Sequence, residues 1–180
     1  MTLEEMKIKV YALIEEYSEN ADDLTEDEDL ALKMNSVINQ IQNELARIKK
    51  IEAYTTLEGK KGDVIYFKDI DELFYQLDIV RGIDVDTKHQ MIKFNEDGEA
   101  EIYYYKYPTQ INNDTDDSQE FDLSIDVLEI MPYGIAADLL KSDVSSNYGQ
   151  IYAQRYRELK NELDPRKAMG SIYISGGVEV

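Results

Sequence analysis

Apolar residues recur along this chain with two different periods, and the change from one to the other divides it. Leu3, Met6, Val10, Leu13, Ile14 and Tyr17 fall on one face of a helix. Thr2-Leu3-Glu4-Glu5 just before them is a capping box, a hydroxyl followed three residues later by a glutamate. The pattern predicts a helix over 3–18. A second box, Thr25-Glu26-Asp27-Glu28, precedes Leu30, Met34, Val37, Ile38, Ile41, Leu45 and Ile48, which predicts a long helix over 26–49 with one apolar stripe. Acids crowd its start (Glu26, Asp27, Glu28, Asp29) and bases its end (Arg47, Lys49, Lys50), as the helix dipole favours.

The helical period stops at Ile51. Segments 51–57, 63–67, 74–80, 90–94 and 99–107 are short, rich in Ile, Val, Tyr and Phe, and several alternate as half-buried strands do. Gly59-Lys60-Lys61-Gly62 reads as a turn. Asn95-Glu96-Asp97-Gly98 reads as a hairpin turn, with Gly98 supplying the positive φ that closes it. Pro108 ends the last strand by withholding a ladder donor. Residues 109–120 are polar and acidic apart from Ile111 and form a loop.

Helical spacing returns at Leu128, Met131, Ile135, Leu139 and Leu140, interrupted by Pro132, which either kinks this helix or opens its main part. Ser142-Asp143 closes it. Tyr148, Ile151, Tyr152, Arg155, Tyr156, Leu159 and Leu163 mark a last helix over 146–163, ended by Pro165. The tail has no helical period. Its Ile172, Tyr173, Ile174, Val178 and Val180 form strands readily, either as a last strand of the chain's own sheet or as an arm that adds a strand to a neighbour.

Strands grouped between helices predict an α+β fold. Residues 1–50 and 121–164 would form a small antiparallel bundle of N-terminal and C-terminal helix pairs. Residues 51–120 would be an inserted antiparallel β-sheet or sandwich, and 165–180 an extended C-terminal arm. At 180 residues the chain can bury a core without disulfides or metal.

Composition narrows the function. With 43% hydrophobic and 32% charged residues the chain is globular rather than disordered. No apolar run approaches a membrane span, and residues 1–10 are amphipathic and acidic, unlike a signal peptide, so an intracellular protein without a membrane partner is expected. The net charge is −19, from 38 acids against 19 bases, which repels nucleic acid. The absence of cysteine removes thiolate nucleophiles and Cys-based zinc sites.

The remaining chemistry is sparse. His89 is the only histidine, expected at the surface, and any Ser-His-Asp triad would have to use it. No G-x-S-x-G, P-loop or G-x-G-x-x-G occurs. Asp114-Thr115-Asp116-Asp117 clusters oxygens as calcium sites do, but the EF-hand pattern would need Gly where Gln119 stands and Glu where Ile125 stands. The acids between Lys9 and Lys33 have no recurring ligand spacing. No catalytic, cofactor-binding or metal residue is assigned, and no enzyme is expected. Tyrosine is abundant, at 14 residues. Tyr103, Tyr104, Tyr105 and Tyr107 fall on both faces of one strand and read as sheet packing. Tyr148, Tyr152 and Tyr156 share one helix face and are candidates for subunit packing.

Residues 107–164 resemble the head-to-tail connector (adaptor, or head-completion) proteins of tailed phages. The resemblance rests on Tyr107-Pro108, Asp114-Thr115-Asp116-Asp117, Met131-Pro132-Tyr133, Ile135-Ala136-Ala137-Asp138-Leu139-Leu140 and the spaced aromatics from Tyr148 to Leu163. The rest of the chain matches by layout alone. The resemblance implies a structural virion protein that forms a ring, commonly a dodecamer, on the portal protein and receives tail or stopper proteins below. Genome DNA would pass through its channel without specific binding. It places the chain at the head-tail junction of the virion, after assembly in the host cytoplasm. It also implies that the arm, through Met169, Ile172, Tyr173, Ile174 and Val178, docks on the portal. From the charge alone, an alternative is an acidic DNA mimic that inhibits a DNA-binding enzyme.

Overall fold

The computed structural model describes residues 1–15, 28–142 and 147–163. In chain order its elements are α1 (Leu3–Glu15), α2 (Glu28–Ile48), β1 (Ile51–Gly59), β2 (Val64–Tyr66), α3 (Phe67–Ile70), β3 (Phe74–Gly82), β4 (Val85–Lys88), β5 (Met91–Phe94), β6 (Gly98–Lys106), α4 (Ile125–Leu128), α5 (Met131–Leu139), a 3-10 turn (Leu140–Ser142) and α6 (Tyr148–Leu163). The fold is α+β, a helical bundle with an inserted pair of antiparallel sheets. Thr25, Glu26 and Asp27 of the second capping box, Pro165 and the whole arm, including Met169, Ile172, Tyr173, Ile174 and Val178, lie outside the described residues.

The first capping box closes in both directions. Thr2 N–H donates to Glu5 Oε2 at 3.0 Å, and Glu5 N–H donates to Thr2 Oγ1 at 3.2 Å. Two more donors at the start of α1 find carbonyls on the acidic loop: Leu3 N–H on Gln119 at 2.9 Å and Glu4 N–H on Asp117 at 3.0 Å. The amides that a helix start cannot pair within itself are thereby satisfied.

The bundle is organised around α5, which packs against α1, α2 and α6. Its sequence, MPYGIAADL, is apolar on nearly every side, as a helix enclosed by others must be. Pro132 stands in its first turn, where its missing N–H costs nothing, so it opens the helix; α4 is a separate short turn before it. Leu3, Met6, Val10, Met34, Ile38, Leu45, Val127, Met131 and Ile135 form one continuous core. Gly134 lets α6 approach closely. A Cβ at that position would lie 2.8 Å from the Tyr156 ring.

The insertion holds two three-stranded sheets, ordered β1-β6-β3 and β2-β5-β4. Ile92 and Phe94 from one and Ala100, Ile102 and Tyr104 from the other share a second core, which makes the insertion a small sandwich. Its ends are neighbours: Ile51 pairs with Lys106, so the module leaves the bundle on a two-strand stem. Lys49–Asp126 and Lys106–Asp122 ion pairs and a Lys50–Gln76 hydrogen bond brace that stem.

Three readings change. The reversal at 95–98 does have positive φ at Gly98, but it closes no hairpin. β5 pairs with β2 and β4 while β6 pairs with β1 and β3, so this turn carries the chain from one sheet to the other. β4 and α3 were not expected, because Val-Asp-Thr-Lys has one apolar side chain and the other edge strand, β2, runs directly into a helical turn at Phe67. Residues 108–120 belong with the bundle rather than with the β insertion, since Ile111 packs in the bundle core.

Candidate interaction surfaces

The acidic loop is held by amide side chains of α2. Asn39 clamps the backbone of Ile111 from both sides: its Nδ2 donates to the Ile111 carbonyl at 2.7 Å, and its Oδ1 accepts the Ile111 N–H at 2.8 Å. The Gln42 amide, buried, donates to Asn39 Oδ1 and to the Thr109 carbonyl, both at 2.9 Å. Asn35 donates to Asn113 Oδ1 at 3.2 Å. Asn35, Asn39, Gln42 and Asn43 form a polar row beside the apolar stripe of α2, a pattern that could have pointed to the docking but was not read from the sequence.

Several carboxylates in and beside the loop bind partners within the same chain. Asp117 pairs with Lys7 at 2.7 Å. Asp116 accepts the Ser118 N–H at 2.8 Å, and its hydrogen bonds with Ser118 lower its pKa. Asp122 accepts Thr109 N–H at 3.1 Å, Thr109 Oγ1 at 2.7 Å and Lys106 Nζ at 3.0 Å. Partial burial would push the Asp122 carboxyl up, but those donors outweigh it and hold the group below its ordinary value. Among the described residues, no three acidic or histidine side chains converge as metal ligands do. His89 is exposed at the β4–β5 turn.

The expected subunit-packing row on α6 is divided by the fold. Tyr152 and Tyr156 are 7% and 8% exposed, inside the bundle of this same chain. The Tyr152 hydroxyl donates to the Leu13 carbonyl at 2.7 Å, and the Tyr156 hydroxyl to Glu44 Oε2 at 3.1 Å beside the Lys160–Glu44 pair. Burial, then the Glu44 charge, pushes the Tyr156 hydroxyl pKa up. The spacing of these two rings marks a seam within the bundle, not a surface for another subunit. Tyr148 is 40% exposed.

Two exposed large apolar side chains, Tyr54 and Ile79, flank Tyr103 on the outer face of the β1-β6-β3 sheet. Tyr54, Tyr103 and Ile79 stand opposite one another across the three strands. Tyr54 is 72% exposed and stacks on Tyr103 with ring centroids 6.0 Å apart; Ile79 is 43% exposed. The next rows are polar, Thr56–Glu101–Arg81 on one side and Glu52–Tyr105–Gln76 on the other. Arg81 lies 5.1 Å over the Tyr103 ring and Lys50 4.4 Å over Tyr105. An apolar stripe with a charged rim has the anatomy of a contact surface. The sequence contained its members but not their register, so it went unnoticed there.

Among the described residues, no helix is long and apolar enough to cross a membrane. No protein-family model matches the chain, and no curated protein matches it.

Proposed function

We propose that this chain is a structural subunit of a phage head-to-tail adaptor ring, seated on the portal and passing genome DNA through its channel to the tail. The observation that carries the assembly reading is the Tyr54–Tyr103–Ile79 stripe, exposed on a chain of net charge −19. Contact surfaces of this kind combine aromatic centres with charged rims. The segment resembling the adaptors, from Tyr107-Pro108 to Leu163, also includes the docked loop and the helices α5 and α6. An acidic lumen would keep DNA from adhering as it passes. A DNA-mimicking role is less well supported, because Asp116, Asp117 and Asp122 spend their oxygens on internal partners.

The test mixes the purified full-length chain with portal rings from the same genome and images the products by negative stain. The expected product is a portal capped by a ring of this chain. Tyr54→Lys should keep the helical content of the wild type and lose that ring, as should removal of the residues after Pro165. Portal left bare by the full-length chain under every salt condition tried would overturn the proposal.

A further inference from the structure

We infer that the two outer faces of the sandwich join successive copies of this chain, the Tyr54–Tyr103–Ile79 face of one copy against the outer face of the β2-β5-β4 sheet of the next. The inference rests on the reading of that stripe as a contact surface and names its occupant; it does not need the adaptor identity.

The two faces differ in charge. Beside the stripe, the adjacent rows bring Glu52 and Glu101 outward, and Glu58 pairs with Glu99 beyond them, against Arg81. On the other sheet Ile65, Ile92, Phe94 and Val85 pack toward the shared core. Strand alternation therefore turns the rows Val64–Lys93–Asp86 and Tyr66–Met91–Lys88 outward. Val64 and Tyr66 are exposed there. The chain as a whole has 38 acids against 19 bases, yet on this face Lys88 and Lys93 stand against Asp86 alone. An apolar centre with a basic rim thus matches an apolar centre with an acidic rim.

Geometry makes the match one between copies. The sheets pack core to core, so their outer faces point away from each other and cannot meet within one chain. A face docked on its own counterpart would set Glu52 and Glu101 against the same carboxylates, which like charges oppose. One face on the other is a head-to-tail contact, and such contacts repeat into a closed ring or an open filament.

The side chains also suit the contact. The tyrosines of the acidic face already accept cations, with Arg81 over Tyr103 and Lys50 over Tyr105. The exposed Tyr54 ring offers the same surface to a lysine from a neighbour. None of the ion pairs formed among the described residues uses Lys88, Lys93, Glu52 or Glu101.

The chain has no cysteine, so single cysteines can mark each face. Thr56→Cys marks the acidic face and Val64→Cys the basic one; both positions are exposed. The two full-length variants, each checked for wild-type helical content, are mixed and treated with a bis-maleimide long enough to cross a face, first free in solution and then with portal added. In at least one setting the mixed dimer should exceed either homodimer by about tenfold. Lys88→Glu with Lys93→Glu in the Val64→Cys chain should lower the mixed dimer about tenfold, and Glu52→Lys with Glu101→Lys in the Thr56→Cys chain should restore it. A mixed yield no greater than the homodimers in both settings, or one indifferent to the charge reversals, would overturn the inference. So would a Thr56→Cys homodimer as abundant as the mixed one, since the face would then meet itself. A portal ring that forms without the mixed cross-link would sink this inference and leave the adaptor reading standing. The mixed cross-link in free chain, with portal left bare, would do the reverse.

Discussion

Tyr104 sits in the sandwich core with its ring stacked on Phe74 at 4.8 Å and its hydroxyl donating to Asp71 Oδ2 at 2.9 Å. Burial, then the hydrogen bond and charge of Asp71, pushes its pKa up to about 12. A group whose folded pKa is raised contributes stability that is complete below its unfolded value, about 10, and is lost as pH rises through the folded value. Urea unfolding of the wild type should therefore weaken between pH 10 and 12, and Tyr104→Phe should flatten that part of the profile. At Gly134 the limit is space. A methyl group there meets the Tyr156 ring, which is fixed at its far end by Glu44. Gly134→Ala should destabilise the protein by about 1–3 kcal/mol, measured by thermal unfolding, because a packed ring cannot withdraw without cost. Both tyrosines were visible as aromatic spacing in the chain. Their partners, far away in sequence, were not.

The β4–β5 hairpin shows how an element can hold strain. His89 and Gln90 both have positive φ, 52° and 60°, between paired residues Lys88 and Met91. A two-residue hairpin loop of this handedness normally uses Asn-Gly, because side chains with a Cβ are disfavoured there. Gln90→Gly should stabilise the protein by about 1 kcal/mol, seen as a higher urea midpoint with an unchanged slope. A glycine introduced within β1 would weaken that strand, so a stabilising outcome is specific to the turn. This hairpin was not legible beforehand because His-Gln carries no turn signal, whereas α1, α2, α5 and α6 announced themselves through period and caps. The turn at 95–98 was recognised as a reversal. Which strands it would leave unpaired depended on a competition among edges that local residues do not settle.

For the whole molecule, the charge of −19 sets a self-repulsion that acts at longer range than the few ion pairs across the stem and loop. Salt should screen it. Raising NaCl to about 0.5 M, where the Debye length falls to roughly 4 Å, should raise the melting temperature. A falling melting temperature would show that the Lys7–Asp117 and Lys106–Asp122 pairs outweigh the net repulsion. The two-strand stem also predicts that the bundle and sandwich are joined more tightly than a flexible linker would join them, since both chain crossings are hydrogen-bonded to each other.

What the amino-acid order determined alone was local: helix periods, the reciprocal cap at Thr2 and Glu5, the alternation of β1 and β6, and so the α+β class. These depend on neighbours within a turn or two. Only the folded structure decided that Tyr152 and Tyr156 face the core, that the acidic loop is clamped by Asn39, and that Tyr54, Tyr103 and Ile79 align into one exposed stripe. Each of those depends on register or helix rotation, where a shift of one residue moves a side chain from core to surface, and that choice is made by packing between segments distant in the chain.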